Sequence, residues 1–141
     1  MAAKTTFQLI KVKDFIRVRR NGEPDLDESK RLLVELATMT EHPADYDILI
    51  DCRRAYGRLT YSDVYELVLE LCKHRSAFHN KIALLTRTDS QFDKASFLEL
   101  FARARGFKVG AFTDFEETIE WLSETAEHTP IRSETTSRDE A

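Results

Sequence analysis

Cysteine is scarce in this chain, whose 141 residues include only Cys52 and Cys72. Two cysteines cannot form the multiple disulfides that hold small secreted domains together. The four histidines are scattered and show no spacing typical of a metal site. We therefore predict no metal and no cofactor, and we expect the reducing environment of the cytoplasm.

Long apolar stretches are missing as well. Residues 1–15 alternate apolar and charged side chains, and no segment has the length of a signal peptide or a membrane span. The formal net charge is −4, which gives the chain no general attraction for nucleic acid or anionic membranes. These absences predict a soluble, cytoplasmic protein with no nucleic-acid partner and no membrane span.

A change in composition divides the chain after Ser123. Up to this residue apolar side chains recur at regular spacing, and the length is typical of one domain, which we place at residues 1–123. Residues 124–141 are polar, contain a single isoleucine and have no periodicity. Such a segment buries too little apolar surface to offset its ordering entropy, so we predict a disordered tail there.

Within the domain, strand and helix patterns alternate. Runs with period-two alternation at 7–12 and 15–19 predict a β-hairpin. Further on, amphipathic segments predict four helices, and short apolar runs predict three more strands. The helices are placed at 26–39, 61–74, 89–106 and 113–122, and the strands at 46–52, 81–88 and 107–112. The order β-β-α-β-α-β-α-β-α predicts an α/β fold with a mixed, mostly parallel sheet that starts with the hairpin.

Several residues have the spacing of helix caps. Thr60 with Asp63 and Thr113 with Glu116 both match a capping box, in which each side chain bonds the backbone N–H of the other residue. Gly106 follows the third helix and suits its C-terminal cap. These signals predict where three of the helices begin or end.

In a mostly parallel sheet the strand-to-helix turns all lie at the carboxyl edge. The turns at 52–62, 86–90 and 112–114 should therefore converge, together with helix N-termini that favour anions. Four arginines fall within these turns: Arg53, Arg54, Arg58 and Arg87. We expect them to form one functional surface. The alternative is that they are solvated or paired with the nearby acids Asp51, Asp63 and Asp89.

The spacing of Cys52 and Arg58, with five residues between them, is that of a cysteine phosphatase loop. Such a loop needs a thiolate nucleophile, inward-facing backbone N–H groups and an arginine that clamps the phosphate. Two features oppose this interpretation. Asp51 would raise the pKa of the thiol, and Gly57 stands late in the loop, whereas a phosphate cradle needs glycine where the N–H groups turn inward.

RRNGEPDLDESKRLLVELA, residues 19–37, has a Gly-Glu-x-Asp-like turn before the first helix. This segment resembles the opening of the STAS domains, the anti-sigma factor antagonist family, and the chain is most similar to the SpoIIAA-like branch of that family. DILIDCRRA, residues 47–55, looks like its central strand, which ends in aspartate. KIALLTRT, FKVGAF and TDFEETIEWL look like its later strands and final helix. The likeness covers about residues 7–123.

The resemblance implies a bacterial, non-enzymatic regulatory module that acts through protein–protein interaction. Antagonists of this family carry Asp-Ser-Ser-Gly at the head of the second helix, and the first serine is phosphorylated. The matching positions are Thr60, Tyr61, Ser62 and Asp63, so Tyr61 stands at the phosphoacceptor position and Ser62 matches the second serine. Phosphorylation is therefore predicted at Ser62, Tyr61 or Thr60.

Three hypotheses follow. In the first, the loop 53–62 and the helix after it dock on a regulatory protein. In the second, a small anionic or lipid-like ligand binds with its head at the arginines and its apolar tail among Phe92, Phe97 and Phe101. The third is the cysteine phosphatase; no other catalytic residue is predicted. The binding residues common to the first two hypotheses are Arg53, Arg54, Tyr56, Arg58, Tyr61, Ser62 and Arg87.

Overall fold

The computed structural model describes residues 4–10, 15–38 and 46–124. The predicted tail, apart from Glu124, lies outside these residues. The strands are β1 (Lys4–Ile10), β2 (Phe15–Gly22), β3 (Asp47–Ala55), β4 (Lys81–Leu85) and β5 (Lys108–Phe112). The helices are α1 (Leu26–Thr38), α2 (Tyr61–Lys73), α3 (Ser90–Ala104) and α4 (Phe115–Ser123), with a short 3-10 turn at Arg75–Ala77.

The five strands form one sheet in the order in which they occur along the chain. β1 pairs antiparallel with β2, and each later strand pairs parallel with the one before it. The predicted hairpin, the element order and the mixed, mostly parallel sheet are confirmed. Each crossover advances by one strand in the same direction, so right-handed connections place α1, α2 and α3 on the same face of the sheet.

The side chains of the central strands alternate between two apolar layers. On β3, Ile48 and Ile50 belong to the large core beneath α1, α2 and α3, whereas Leu49 belongs to a smaller core beneath α4. The helix α4 packs on β4 and β5. The core beneath α1, α2 and α3 is larger because three helices cover that face of the sheet. On the other face, α4 alone covers part of the sheet, so the core there is small.

Most of the predicted caps are present. Thr60 and Asp63 form a full capping box at α2, and Gly106 has a φ of +93°, the left-handed conformation expected after the end of α3. The box predicted for Thr113 and Glu116 is wrong by one residue. Asp114 is the cap of α4, and its carboxylate accepts from the N–H of Glu117 at 2.9 Å. Aspartate is at least as good a cap as threonine, so the residue next to Thr113 takes the position.

Candidate functional site

A register shift near the end of β3 decides which way its arginines face. Arg19 of β2 pairs with Asp51, but Asn21 pairs with Arg54, so β3 has one extra residue opposite Arg20. Such a bulge changes the alternation of side chains and redirects those that follow. As a result Arg53 and Arg54, although adjacent in sequence, line the same cavity.

That cavity lies on the face of the sheet to which α4 belongs, and we call it the arginine cavity. It is formed by β1, β2 and β3 and has a volume of about 520 Å³. Its main lining residues are Arg17, Arg19, Asn21, Asp51, Arg53 and Arg54. Sequence reasoning placed Arg53 and Arg54 with the arginines of the sheet edge and missed Arg17 and Arg19 altogether. The basic segment 17–20 was the available signal.

Asp51 organises two arginines of the arginine cavity. Its carboxylate accepts from Nε of Arg53 at 3.0 Å and from Nη2 of Arg53 at 2.8 Å, and Nη2 of Arg17 lies 3.6 Å away. Burial would raise the pKa of Asp51, but the hydrogen bonds and charge of Arg53, together with Arg17, lower it below its usual value. Asp51 is therefore ionised over the neutral range and holds both guanidinium groups in place.

Arg20 faces the other layer of the sheet. Its side chain lies on the same face of β2 as Ile16 and Val18, and only 7% of the residue is exposed to solvent. Nη1 donates to Oγ of Ser29 at 3.0 Å, whereas Nε is buried and has no partner among the described residues. Burial lowers the pKa of Arg20. A buried guanidinium with one neutral partner is costly, which makes Arg20 a candidate for a functional residue.

Arg20 stands at the polar end of an apolar cavity between the sheet and the three helices. This second space, the inner cavity, has a volume of about 130 Å³ and is lined mainly by leucine, isoleucine and valine. The polar and ionisable lining residues are Arg20, Ser29, Cys52, Thr86, Gln91 and Lys94. Phe92, Phe97 and Phe101, the residues predicted to surround an apolar ligand tail, are not among the lining residues of the inner cavity.

Cys52 and Arg58 do not form a phosphatase site in this structure. Cys52 lines the inner cavity, and burial raises the pKa of its thiol to about 11, so the thiolate is scarce at neutral pH. Arg58 is exposed on the loop, where its Nη1 donates to Oε1 of Glu23 at 3.0 Å. Phosphate chemistry needs a thiolate nucleophile and an arginine that is free to bind the phosphate. Here Cys52 is mostly a protonated thiol at neutral pH, and Arg58 is paired with Glu23.

Arg87 connects the turn before α3 to the end of β3. Its Nη1 donates to the carbonyl oxygens of Arg53 and Ala55 at 2.5 and 3.1 Å, and its Nε donates to Asp89 at 3.1 Å. Its guanidinium also lies 5.1 Å from the ring centroid of Tyr56. Arg87 is therefore occupied by contacts within the fold.

The expectation of one arginine surface at the carboxyl edge is corrected. Arg53 and Arg54 line the arginine cavity, Arg58 pairs with Glu23 on the loop, and Arg87 bonds backbone carbonyls. The turns do converge, as the contact of Arg87 with β3 demonstrates. The bulge in β3 contributes to this separation, because it directs Arg54 to the face that Arg53 already shares with Asp51.

Aromatic side chains of α2 and α3 form a continuous surface. Tyr61 packs edge-on against Phe97 at 5.0 Å between ring centroids, Phe97 lies 4.4 Å from Phe101, and Phe101 lies 5.3 Å from Tyr65. Tyr61 is 48% exposed and Tyr65 is 37% exposed. Leu100 is 66% exposed on α3. We call Tyr61, Tyr65, Phe97 and Phe101 the aromatic surface.

The predicted phosphorylation positions differ in their surroundings. The hydroxyl of Thr60 accepts from the N–H of Asp63 at 3.0 Å in the capping box. Tyr61 is part of the aromatic surface. Ser62 is exposed in the first turn of α2 and has no hydrogen bond among the described residues. Thr60 is therefore engaged in the cap, whereas Tyr61 and Ser62 are both exposed, and modification of any of the three stays a prediction.

The described residues contain neither a metal-binding group nor a membrane-spanning helix. The part of the chain that the structure describes contains no group of three or more histidine, cysteine or acidic residues placed to hold a metal ion. In that same part, every helix is too short or too polar to cross a membrane.

The structure is similar in fold to several solved structures, including the following two. One is an uncharacterized protein of the DUF3478 family with a SpoIIAA-like fold from Shewanella loihica, with a TM-score of 0.56 and 16% identity over 86% of this chain and 94% of that one. The other is the anti-sigma factor antagonist SpoIIAA in its unphosphorylated form, with a TM-score of 0.55 and 16% identity over 86% of this chain and 100% of that one. This chain has a SpoIIAA-like fold.

The resemblance drawn from short sequence motifs is thus confirmed for the SpoIIAA-like fold. No protein-family model matches the sequence, and no curated protein matches it either. At 16% identity the likeness establishes the fold alone.

Proposed function

We propose that this SpoIIAA-like domain is a non-enzymatic regulatory module that binds a partner protein through the aromatic surface of α2 and α3. The observation that carries the proposal is the set of exposed aromatic rings described above. Large aromatic side chains that stay exposed next to one another are unusual on a monomeric surface and are typical of binding sites. The likeness to an anti-sigma factor antagonist supports a protein partner.

The aromatic surface fits the requirements of a binding hot spot. Tyr61 and Tyr65 each present a large ring that is already held by a neighbouring phenylalanine, so little conformational entropy is lost on binding. The predicted loop carries a further exposed ring, that of Tyr56, which is 60% exposed. Ser62 lies beside Tyr61, so a phosphate added there would place negative charge within the interface and weaken docking of an acidic partner.

Basic side chains next to the rings indicate the chemistry of the partner. Nζ of Lys94 lies 5.9 Å from the ring centroid of Tyr61, and the guanidinium of Arg105 lies 5.4 Å from that of Tyr65. A complementary partner would present an apolar patch bordered by carboxylates that reach these two cations. We therefore infer an acidic protein surface as the partner's contact region.

A photocrosslinking residue in place of Tyr61 tests this proposal. Introduced in the native host cells, p-benzoylphenylalanine at position 61 is expected to give a discrete crosslinked species of defined mass. Adding Tyr65→Ala should reduce its yield by about tenfold or more, because hot-spot truncations cost roughly 2 kcal/mol or more of binding free energy. Mass spectrometry of the crosslinked product measures both results.

The matched control has the same crosslinker at Glu116, an exposed position on α4 at the other face of the sheet. It should give none of the species seen from position 61. Identical crosslinked products from both positions, or a yield that Tyr65→Ala leaves unchanged, would remove the aromatic surface as the docking site.

The inner cavity favours a second candidate function, the binding of a small amphiphile with an anionic head. Its walls are aliphatic, and the buried Arg20 at its polar end has an Nε without an acceptor. A carboxylate placed there would satisfy that donor and compensate the charge, while a short alkyl chain would lie against the leucine and isoleucine side chains. The volume suits a short chain better than a long one.

Octanoate and octanol distinguish this candidate from non-specific apolar binding. Octanoate should bind the native protein about tenfold more tightly than octanol, and Arg20→Met should abolish that preference, since a charged hydrogen bond contributes roughly 1.5–3 kcal/mol. Isothermal titration calorimetry measures the four affinities. Equal affinities of octanoate and octanol for the native protein would count against a ligand head at Arg20.

A further inference from the structure

The arginine cavity has a charge opposite to that of the whole molecule. The chain has a formal net charge of −4, yet five arginines and one aspartate line this concave surface. Arg20 directs its guanidinium to Ser29 in the other layer of the sheet, so four guanidinium groups and one carboxylate remain at the arginine cavity. Like charges gathered at one place cost free energy unless something compensates them. A cavity of about 520 Å³ is within the range of small-molecule sites, which is roughly 300–1,000 Å³.

Two of the guanidinium groups are fixed in position. Arg53 is held by Asp51 in a bidentate pair, and the guanidinium of Arg17 lies beside the same carboxylate. Both also lie over the ring of Phe115, at 5.1 Å for Arg17 and 5.8 Å for Arg53. These contacts orient the two side chains in advance, and a single carboxylate leaves most of the positive charge uncompensated.

The other two guanidinium groups are available for binding. Arg19 and Arg54 are exposed, and neither side chain makes a hydrogen bond or ion pair with another residue that the structure describes. In addition, Nε of Arg17 is buried without an acceptor among those residues. Buried polar atoms are nearly always hydrogen-bonded in native proteins, so an orphaned donor beside free arginines points to an acceptor brought by a ligand.

We propose that the arginine cavity binds a small, soluble molecule that carries a phosphate or diphosphate group. Arg19 and Arg54 are its direct donors, and Arg17 and Arg53 add fixed positive charge. The planar fork of arginine matches the oxygens of a phosphate, which allows two parallel hydrogen bonds from each side chain. The bulge in β3 makes the site, because it places Arg54 on the face where Arg19 lies.

The shape of the site favours a small molecule over a membrane or a nucleic acid. An extended polyanion needs a broad basic surface, whereas here the positive charge lies inside a cavity of an otherwise acidic molecule. The site lies on the face of the sheet opposite α2 and α3. The proposed phosphate binding does not depend on docking of a partner protein at the aromatic surface, and a separate experiment measures it.

Pyrophosphate is the probe for the first experiment. Calorimetric titration of the full chain at low ionic strength should give saturable binding to one site. Arg19→Ala with Arg54→Ala should weaken binding by roughly 100-fold or more, because it removes two guanidinium groups that each donate charge-assisted hydrogen bonds to the phosphate. Arg19→Lys with Arg54→Lys keeps the charge but loses the fork, and should give an intermediate loss.

The control variant is Arg31→Ala, which removes an exposed arginine of α1 on the other face and should leave pyrophosphate affinity unchanged. Thermal unfolding of each variant verifies that it is folded. A second arm uses vesicles of phosphatidylglycerol and phosphatidylcholine. The proposal is overturned if pyrophosphate binding is absent, if it survives the double alanine substitution, or if vesicles bind and pyrophosphate does not.

Discussion

Replacing Leu85 with alanine will lower the free energy of unfolding by about 2–5 kcal/mol, the range for large-to-small substitutions in well-packed cores. Leu85 is 0% exposed and belongs to the small core beneath α4, with Leu49, Ala83 and Leu122. This layer has few members, so little neighbouring side-chain volume can move into the space left behind. Urea denaturation followed by circular dichroism measures the change, with the denaturant slope expected to stay constant.

Leu100→Ala is the matched control for that experiment. Leu100 is 66% exposed on α3, and its truncation should change the free energy of unfolding by no more than about 0.5 kcal/mol. A loss below about 1 kcal/mol for Leu85→Ala would contradict the packing of α4 on the sheet. The pair of variants separates loss of buried packing from any general effect of removing a leucine side chain.

Arg20→Met will raise the free energy of unfolding by about 1–3 kcal/mol, a gain opposite in sign to most core substitutions. The native guanidinium is buried, donates one hydrogen bond to the neutral Ser29 and has an unpaired Nε. The aliphatic chain of methionine fills a similar volume and removes the desolvated charge. Thermal and urea unfolding of the native protein and the variant measure the difference.

The corresponding surface substitution is Arg31→Met, which removes an exposed arginine of α1 and should be nearly neutral. A decrease in stability for Arg20→Met would mean that the guanidinium makes a net favourable contribution to the fold. The expected gain would instead mean that the domain retains a destabilising residue, as functional sites commonly do.

The positions of the helices and strands could be predicted because their signals are local. Apolar residues at helical spacing define α2, with Val64, Leu67, Val68 and Leu71 all buried in the large core. The end of α3 was marked by Gly106, and the start of α2 by Thr60. The error at α4 was one residue, because Thr113 and Asp114 compete for the same cap and only backbone geometry selects between them.

The binding residues could be predicted only in part. Tyr61 was identified from the loop before α2, but its partners Phe97 and Phe101 were assigned to a ligand tail. The reason is that pairing between α2 and α3 depends on how both helices lie on the sheet. Arg17 and Arg19 were interpreted only as strand residues. Side chains alternate between the two faces of a strand, so arginines at both odd and even positions cannot all lie on one face.

By itself the sequence determined the order of strands and helices, the mixed sheet and the caps at Thr60 and Gly106. It also carried the family resemblance that proved correct for the fold. These features could be predicted because they depend on residues that are close together in the sequence. Only the tertiary structure decided where the arginines face. Alternation along β3 places Arg53 on the same face as Asp51, and a single extra residue opposite Arg20 directs Arg54 to that face as well. The register between two strands is fixed by their packing with the whole sheet, and no local pattern encodes it.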